Sequence, residues 1–153
     1  MEPRTARCHC GDVRLLCAGA PRKISMCHCK DCQRRTGSAF SIAVFFAREH
    51  VSIAGGSCAT FERASATGFP VLFHFCVRCG SNVQWEPRRL PDLVGVGAGA
   101  FADPSLAQPD QSVWTKDKHA WLTLPEGMPC FETAPPPRVP PDSPETTRPG
   151  AQR

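Results

Sequence analysis

The chain has 153 residues, 16 of them proline, 12 glycine and 10 cysteine, and a formal charge of +4. That length suits one domain with a real core, and so much proline and glycine favours short strands and turns over long helices. A nucleic-acid partner is disfavoured: no Lys/Arg run exceeds two residues, and seven thiolates around two divalent ions would bring the balance to about +1.

Met1-Glu2-Pro3-Arg4 opens without the apolar core of a secretory leader. No stretch approaches the ~20 apolar residues of a membrane span. The expectation is a soluble, cytoplasmic protein with no membrane partner, in which clustered cysteines bind metal more often than they form disulfides.

In chain order, Gly11 permits a tight turn after Cys8-His9-Cys10. Val13, Leu15 and Cys17 alternate with Asp12, Arg14 and Leu16, which predicts a short strand closed by Ala18-Gly19-Ala20-Pro21. Ile24, Ser25 and Met26 lead into Cys27-His28-Cys29-Lys30-Asp31-Cys32. Residues 29–36 read as one short helix stopped by Gly37. Cys29 and Cys32 are then neighbours on one face, and Arg34 and Arg35 fall in the last turn, where positive charge suits the helix dipole. A strand follows at 39–46, with Phe40, Ile42, Val44 and Phe46 on one face and Ala39, Ser41 and Ala43 on the other.

Shorter strands are expected at 51–53, before the Gly55-Gly56 turn, and at 60–63. Residues 71–75 form a strand that places His74 and Cys76 on one face. Cys76-Val77-Arg78-Cys79-Gly80 is a metal knuckle, and 81–85 is its return strand. At 94–100, valine and alanine alternate with Gly95, Gly97 and Gly99, which predicts a strand with one bare face pressed by another backbone. Trp114 and Trp121 bracket a polar loop, with Leu122, Leu124 and Phe131 as the last core contacts. Residues 135–153 hold seven prolines and read as a disordered Pro-rich tail, leaving 1–134 as the domain.

Seven of the ten cysteines lie in three tight sets. Cys8, Cys10, Cys76 and Cys79 offer the four thiolates of a closed tetrahedral zinc site. Joining two close pairs from distant parts of the chain lowers the entropy of the unfolded state and couples folding to metal, by roughly 10 kcal/mol or more in small zinc modules. Cys27, Cys29 and Cys32 offer only three, the mark of a catalytic zinc with an open position. Cys17, Cys58, His74 or another chain would be the alternatives for a fourth ligand. Thiolate-rich sets select zinc over magnesium or manganese.

The remaining candidates have plainer readings. Cys17 is a buried small hydrophobe, and Cys58 and Cys130 are ordinary thiols. His9 and His28 sit between ligands and are turned away from the metal. His74 is a satisfied structural histidine rather than a donor to a thiolate, and His50 and His119 face solvent. Gly95-x-Gly97-x-x-Ala100 matches a dinucleotide fingerprint only nominally, since Asp103-Pro104 stands where its helix should run.

Several blocks together resemble one family. They are Cys8-His9-Cys10-Gly11-Asp12-Val13-Arg14, then Cys27 to Gln33 with Thr36-Gly37-Ser38-Ala39-Phe40, then Phe75 to Ser81, and the ending from Val113-Trp114 through Ala120-Trp121 to Leu124-Pro125. The chain is similar over about 7–132 to the glutathione-dependent formaldehyde-activating enzymes, whose founding activity is S-(hydroxymethyl)glutathione synthase. The resemblance implies a mainly β fold, the β-tent, of short antiparallel sheets around a structural zinc, with one short helix. It implies a structural zinc at Cys8, Cys10, Cys76 and Cys79 and a catalytic zinc at Cys27, Cys29 and Cys32. The chain departs from the family where Phe101-Ala102-Asp103-Pro104 follows the glycine-rich strand.

The function expected on these grounds is a zinc-dependent carbon–sulfur lyase. It would act on an adduct of an aldehyde with glutathione or another thiol, and it would carry two zinc ions, the second partly occupied. Lys30, Arg34, Arg35 and Arg78 are the nearby cations for glutathione's carboxylates. The rival reading is a non-catalytic zinc module that binds a protein partner, for which the second cysteine set has no use. Thiol redox chemistry or metal buffering is a third.

Overall fold

The computed structural model describes residues 3–106 and 108–136. In chain order the strands are β1 (Arg4–Arg7), β2 (Arg14–Cys17), β3 (Lys23–Cys27), β4 (Ser41–Ala47), β5 (Val51–Gly55), β6 (Cys58–Arg63), β7 (Val71–Cys76), β8 (Asn82–Pro87), β9 (Leu93–Gly97), β10 (Gln111–Val113) and β11 (Cys130–Phe131). The one α-helix among the described residues, α1 (Lys30–Thr36), runs between β3 and β4. It is capped by the Cys29 sulfur at its start and by left-handed Gly37 at its end. None of the described helices is long and apolar enough to cross a membrane.

Two sheets result. The smaller has the order β1-β2-β5, and the larger β11-β10-β3-β4-β9-β8-β7-β6. All pairings are antiparallel except that β10 runs parallel to both β3 and β11. The fold is therefore mainly β with one α-helix, as the resemblance implies, with two parallel pairings at one edge.

The principal core lies between the sheets. Ala6, Val13, Leu15 and Cys17 meet Ile24, Val44, Phe46, Val83, Val94 and Val96. Phe46 and Leu15 are fully buried, each contributing about 1.5–3 kcal/mol of transfer free energy. The opposite face of the large sheet carries a second core of Ala43, Phe45, Phe73 and Trp85. So β4, expected to bury one face, buries both. Phe73 pairs with Trp85, Trp85 with Gly95, and Gly95 with Phe45, in one row across four strands.

The glycine-rich segment differs from expectation. β9 stops at Gly97, and Ala98–Phe101 forms a 3-10 turn that ends in left-handed Ala102. What crowds Gly95 is the indole of Trp85, whose Nε1 would lie 2.5 Å from an added Cβ; Gly97 and Gly99 have open space. Among the described residues no backbone presses on the bare face. β1, β3, β10 and β11 had no clear period-2 signature. β1 has Ala6 as its one apolar residue, and β10 buries Gln111 and Ser112, so both are fixed by their partners. Leu122, Leu124 and Phe131 are half-buried and belong to neither core. The division at 134/135 falls largely beyond this description, because 137–153 lie outside the described residues. At the boundary, Arg89 donates to the Pro135 carbonyl.

Candidate metal centres

The first centre is built from two facing turns. Cys8 follows β1 and Cys76 ends β7. In each turn a glycine with positive φ, Gly11 (78°) and Gly80 (71°), returns its N–H to the carbonyl of the first cysteine, Cys8 or Cys76. That backbone shape resists a side chain. The His9 N–H donates to the Ser81 hydroxyl and ties the two turns together. The sulfurs of Cys8, Cys10, Cys76 and Cys79 all lie within 4.8 Å of one another. Cys8 and Cys10 are 3.5 Å apart, and Cys10 and Cys76 3.8 Å.

A tetrahedron of Zn–S bonds ~2.3 Å long has edges of about 3.8 Å, so the donor set fits such an ion. Its electrostatics point the same way. The hydroxyl and N–H of Ser81 hold Cys79 at about 5. Cys10 is drawn down by the Asp12 N–H, yet desolvation and its sulfur neighbours push it up to about 12. Four sulfurs this close oppose one another's ionisation and could together hold a cation.

The second centre stands at the junction of β3 and α1. Cys27 is the last residue of β3, paired with Ser41 on β4 and Val113 on β10. Cys29 caps α1, its sulfur accepting from the Cys32 N–H at 3.3 Å. The three sulfurs lie within 4.8 Å of one another. Bonds from the Cys27 and Cys32 thiols pull Cys29 strongly down, beyond what its burial opposes. Its bond to Cys29 pushes Cys27 far up. Cys32 is drawn down by Cys27 but pushed up to about 11 by Cys29 and burial. The three sulfurs thus oppose one another's ionisation at close range.

No fourth donor joins this set among the described residues. Cys17 is buried in β2 with its thiol pushed up to about 11 by desolvation. Cys58 stands opposite Cys76 on the neighbouring strand. His74 bonds Glu86 at 2.8 Å. His28 is fully buried between the ligands, with Nε2 2.9 Å from the Ser112 hydroxyl and its ring against Phe40. Its Nδ1 has no hydrogen-bond partner among the described residues.

Other residues turn out to matter. Gln33 donates to the His28 carbonyl (2.8 Å) and the Asp117 carbonyl (3.1 Å), and its Oε1 is 3.0 Å from His119 Nε2. It clamps the ligand loop, the helix and the segment after β10 together. Its sequence signals are its position next to Cys32 and its place at the end of the second block of the family resemblance. Among the cations expected to meet carboxylates, Arg35 is committed elsewhere: it bonds Asn82 and Ser41 and stacks on Trp85. Lys30 and Arg78 are exposed, and Arg34 is 75% exposed beside Asp31. Two open grooves of about 620 and 490 Å³ adjoin Cys8 and Arg35 respectively, and neither is lined by Cys27, Cys29 or Cys32.

A mainly β fold presenting one four-thiol and one three-thiol centre defines a cysteine-rich protein with two candidate metal sites. The family model for the glutathione-dependent formaldehyde-activating enzyme matches residues 3–117, and the chain belongs to that family. A Halomonas elongata protein, provisionally named a glutathione-dependent formaldehyde-activating enzyme, is 28% identical over 123 residues, 76% of this chain and 78% of the relative. A crystal structure of a Rhodobacter sphaeroides protein has the same fold, with a TM-score of 0.53 and 21% identity over 69% of this chain and 91% of that one.

Proposed function

We propose that this domain, taken as 1–134, is a zinc-dependent carbon–sulfur lyase acting on S-(hydroxymethyl)glutathione or a closely related thiol–aldehyde adduct in the cytoplasm. Cys8, Cys10, Cys76 and Cys79 would hold a structural zinc; Cys27, Cys29 and Cys32 would hold a catalytic one. A zinc ion bound by three thiolates supplies a Lewis acid with a position left for a substrate sulfur, lowering that thiol's pKa. The observation that carries this reading is the grouping of three sulfurs with no fourth donor among the described residues.

In the synthetic direction the glutathione thiol gives its proton to solvent and its sulfur bonds to the formaldehyde carbon. The carbonyl π pair moves to oxygen, which takes a proton from solvent; the reverse step breaks the C–S bond. The residues of the chain act by position. The pairings of Cys27 with β4 and β10 fix one donor. The cap at Cys29 fixes the second, and the first turn of α1 the third. Gln33 and the His28–Ser112 bond keep the ligand loop in register with the sheet. Because formaldehyde and thiols also combine without help, the acceleration required is small.

The test follows adduct formation from isotopically labelled formaldehyde and glutathione, by NMR, for wild type and Cys29→Ser. The expected result is loss of the accelerated rate in Cys29→Ser with the fold retained. Unchanged turnover would remove the central cysteines from the mechanism. A metal content of one ion per chain in wild type, with or without glutathione, would favour a non-catalytic module instead.

A further inference from the structure

We propose that Trp121 and His119 form one wall of the substrate subsite beside the three-thiol centre, recognising the peptide body of a short, carboxylate-bearing thiol. The inference rests on the substrate-binding role just assigned to that centre.

Cys29, Cys32 and Gln33 are spaced by three and four residues and share one face at the start of α1. The Gln33 amide holds the His119 ring at 3.0 Å. His119 therefore sits on the helix face that carries two of the three sulfurs. The Trp121 ring lies 5.8 Å from it, tilted by 51°.

Trp121 is 70% exposed, against 6% for Trp85. A lone exposed apolar residue is ordinary; what singles this one out is how firmly its loop is held. Lys118 Nζ donates to the carbonyls of His119 (3.2 Å) and Leu122 (2.6 Å), which bracket the indole. The Leu122 N–H returns to the His119 carbonyl. At the root of the loop Trp114 takes the left-handed φ of 58°, a conformation that strains a residue other than glycine. That turn carries the chain from β10 straight to Gln33. An exposed aromatic on a fixed loop loses little entropy on binding, which makes it a preformed contact surface.

The ligand class follows from position. A thiol that reaches the centre through its sulfur must extend its body past the cluster. The indole offers a flat apolar face to peptide planes. Exposed Lys30, the first residue of α1, favours carboxylates. A thiol too small to reach the wall gains nothing from it.

The test measures binding of glutathione and of 2-mercaptoethanol to the metal-loaded protein by calorimetry, with KM for each, in wild type, Trp121→Ala and Trp121→Phe. Trp121→Ala should weaken glutathione about tenfold more than 2-mercaptoethanol, with metal content and unfolding midpoint unchanged, and Trp121→Phe should recover most of the loss. Equal losses for the two thiols, no loss for either, or a wild type that does not bind glutathione would each overturn the proposal. If glutathione binds through Trp121 but no adduct with formaldehyde forms, the enzymatic reading falls and the subsite stands. If adduct forms and Trp121→Ala binds glutathione normally, the subsite falls alone.

Discussion

The Arg35 guanidinium lies 4.2 Å from the centre of the Trp85 ring while bonding the Asn82 and Ser41 side chains, each at 2.6 Å. One residue thus fastens α1, which carries Cys32, to strands β4 and β8 of the large sheet. The helix has no fully buried residue of its own, so this fastening is a large part of what seats it. Arg35→Ala should cost about 2 kcal/mol from the lost cation–π and hydrogen bonds, and should lower metal retention at Cys27, Cys29 and Cys32. Arg35→Lys should recover only part, because an ammonium cannot fork to two acceptors and stack at once. Urea unfolding and metal analysis after dialysis measure both effects.

Gly95 is the next test of the packing. An added Cβ would lie 2.5 Å from Trp85 Nε1 and 2.6 Å from Cε2, on a ring that is buried and cannot swing freely. Gly95→Ala should destabilise by about 2 kcal/mol. Trp85→Phe in the Gly95→Ala background should be less costly than the two single losses added, since the smaller ring frees the space. A double-mutant cycle of unfolding midpoints reads this directly; full additivity would show that the clash is relieved elsewhere.

These features also mark where sequence stops being legible. The spacings Cys-x-Cys and Cys-x-x-Cys are local, so both thiol sets could be read off the chain, and the helix 29–36 was placed within one residue of α1 because its cap, dipole pattern and closing glycine all lie inside it. Register is not local. That Trp85 faces Gly95 depends on how β8 meets β9, and that Cys58 faces Cys76 depends on how β6 meets β7. β10 is three residues long with a polar, buried pattern, so its strand character comes from β3 and β11. The Gln33–His119 bond spans 86 positions; nothing near His119 distinguishes it from a solvated side chain.

Glu86 gives a pH-dependent prediction. Its carboxylate bonds Arg48 and His74. Burial pushes its pKa up, but the hydrogen bonds and charges of these partners outweigh that and hold it below the ordinary carboxylate value. A depressed folded pKa contributes stability that is complete above the unfolded value, ~4.3, and is lost as pH falls through the folded one. Glu86→Gln should therefore be less stable than wild type at pH 7 by about 1 kcal/mol, and the gap should close on acidification below pH ~4. Melting temperatures of both proteins from pH 3 to pH 7 test the sign; a gap that widens toward acid would contradict it.

The two centres should respond oppositely to loss of one sulfur. Cys76 is fully buried, ends β7, and meets the Cys10 sulfur across 66 positions of chain. Cross-linking so long a loop through a metal stabilises chiefly by restricting the unfolded chain. If the four-thiol centre holds the proposed zinc, Cys76→Ser should release it and unfold the region where β1, β7 and β8 meet, with lost near-ultraviolet dichroism and a broadened transition. Cys29 instead caps a seven-residue helix that has no buried residue of its own. Cys29→Ser keeps a capping oxygen and should fold, retaining the ion of the four-thiol centre while losing the other. A strong chelator added to wild type should then remove metal in two steps: the first without change in secondary structure, the second together with unfolding. Unfolding with the first ion would mean that the three-thiol centre carries the fold and not the open coordination position; a single step with one ion per chain would favour the non-catalytic module.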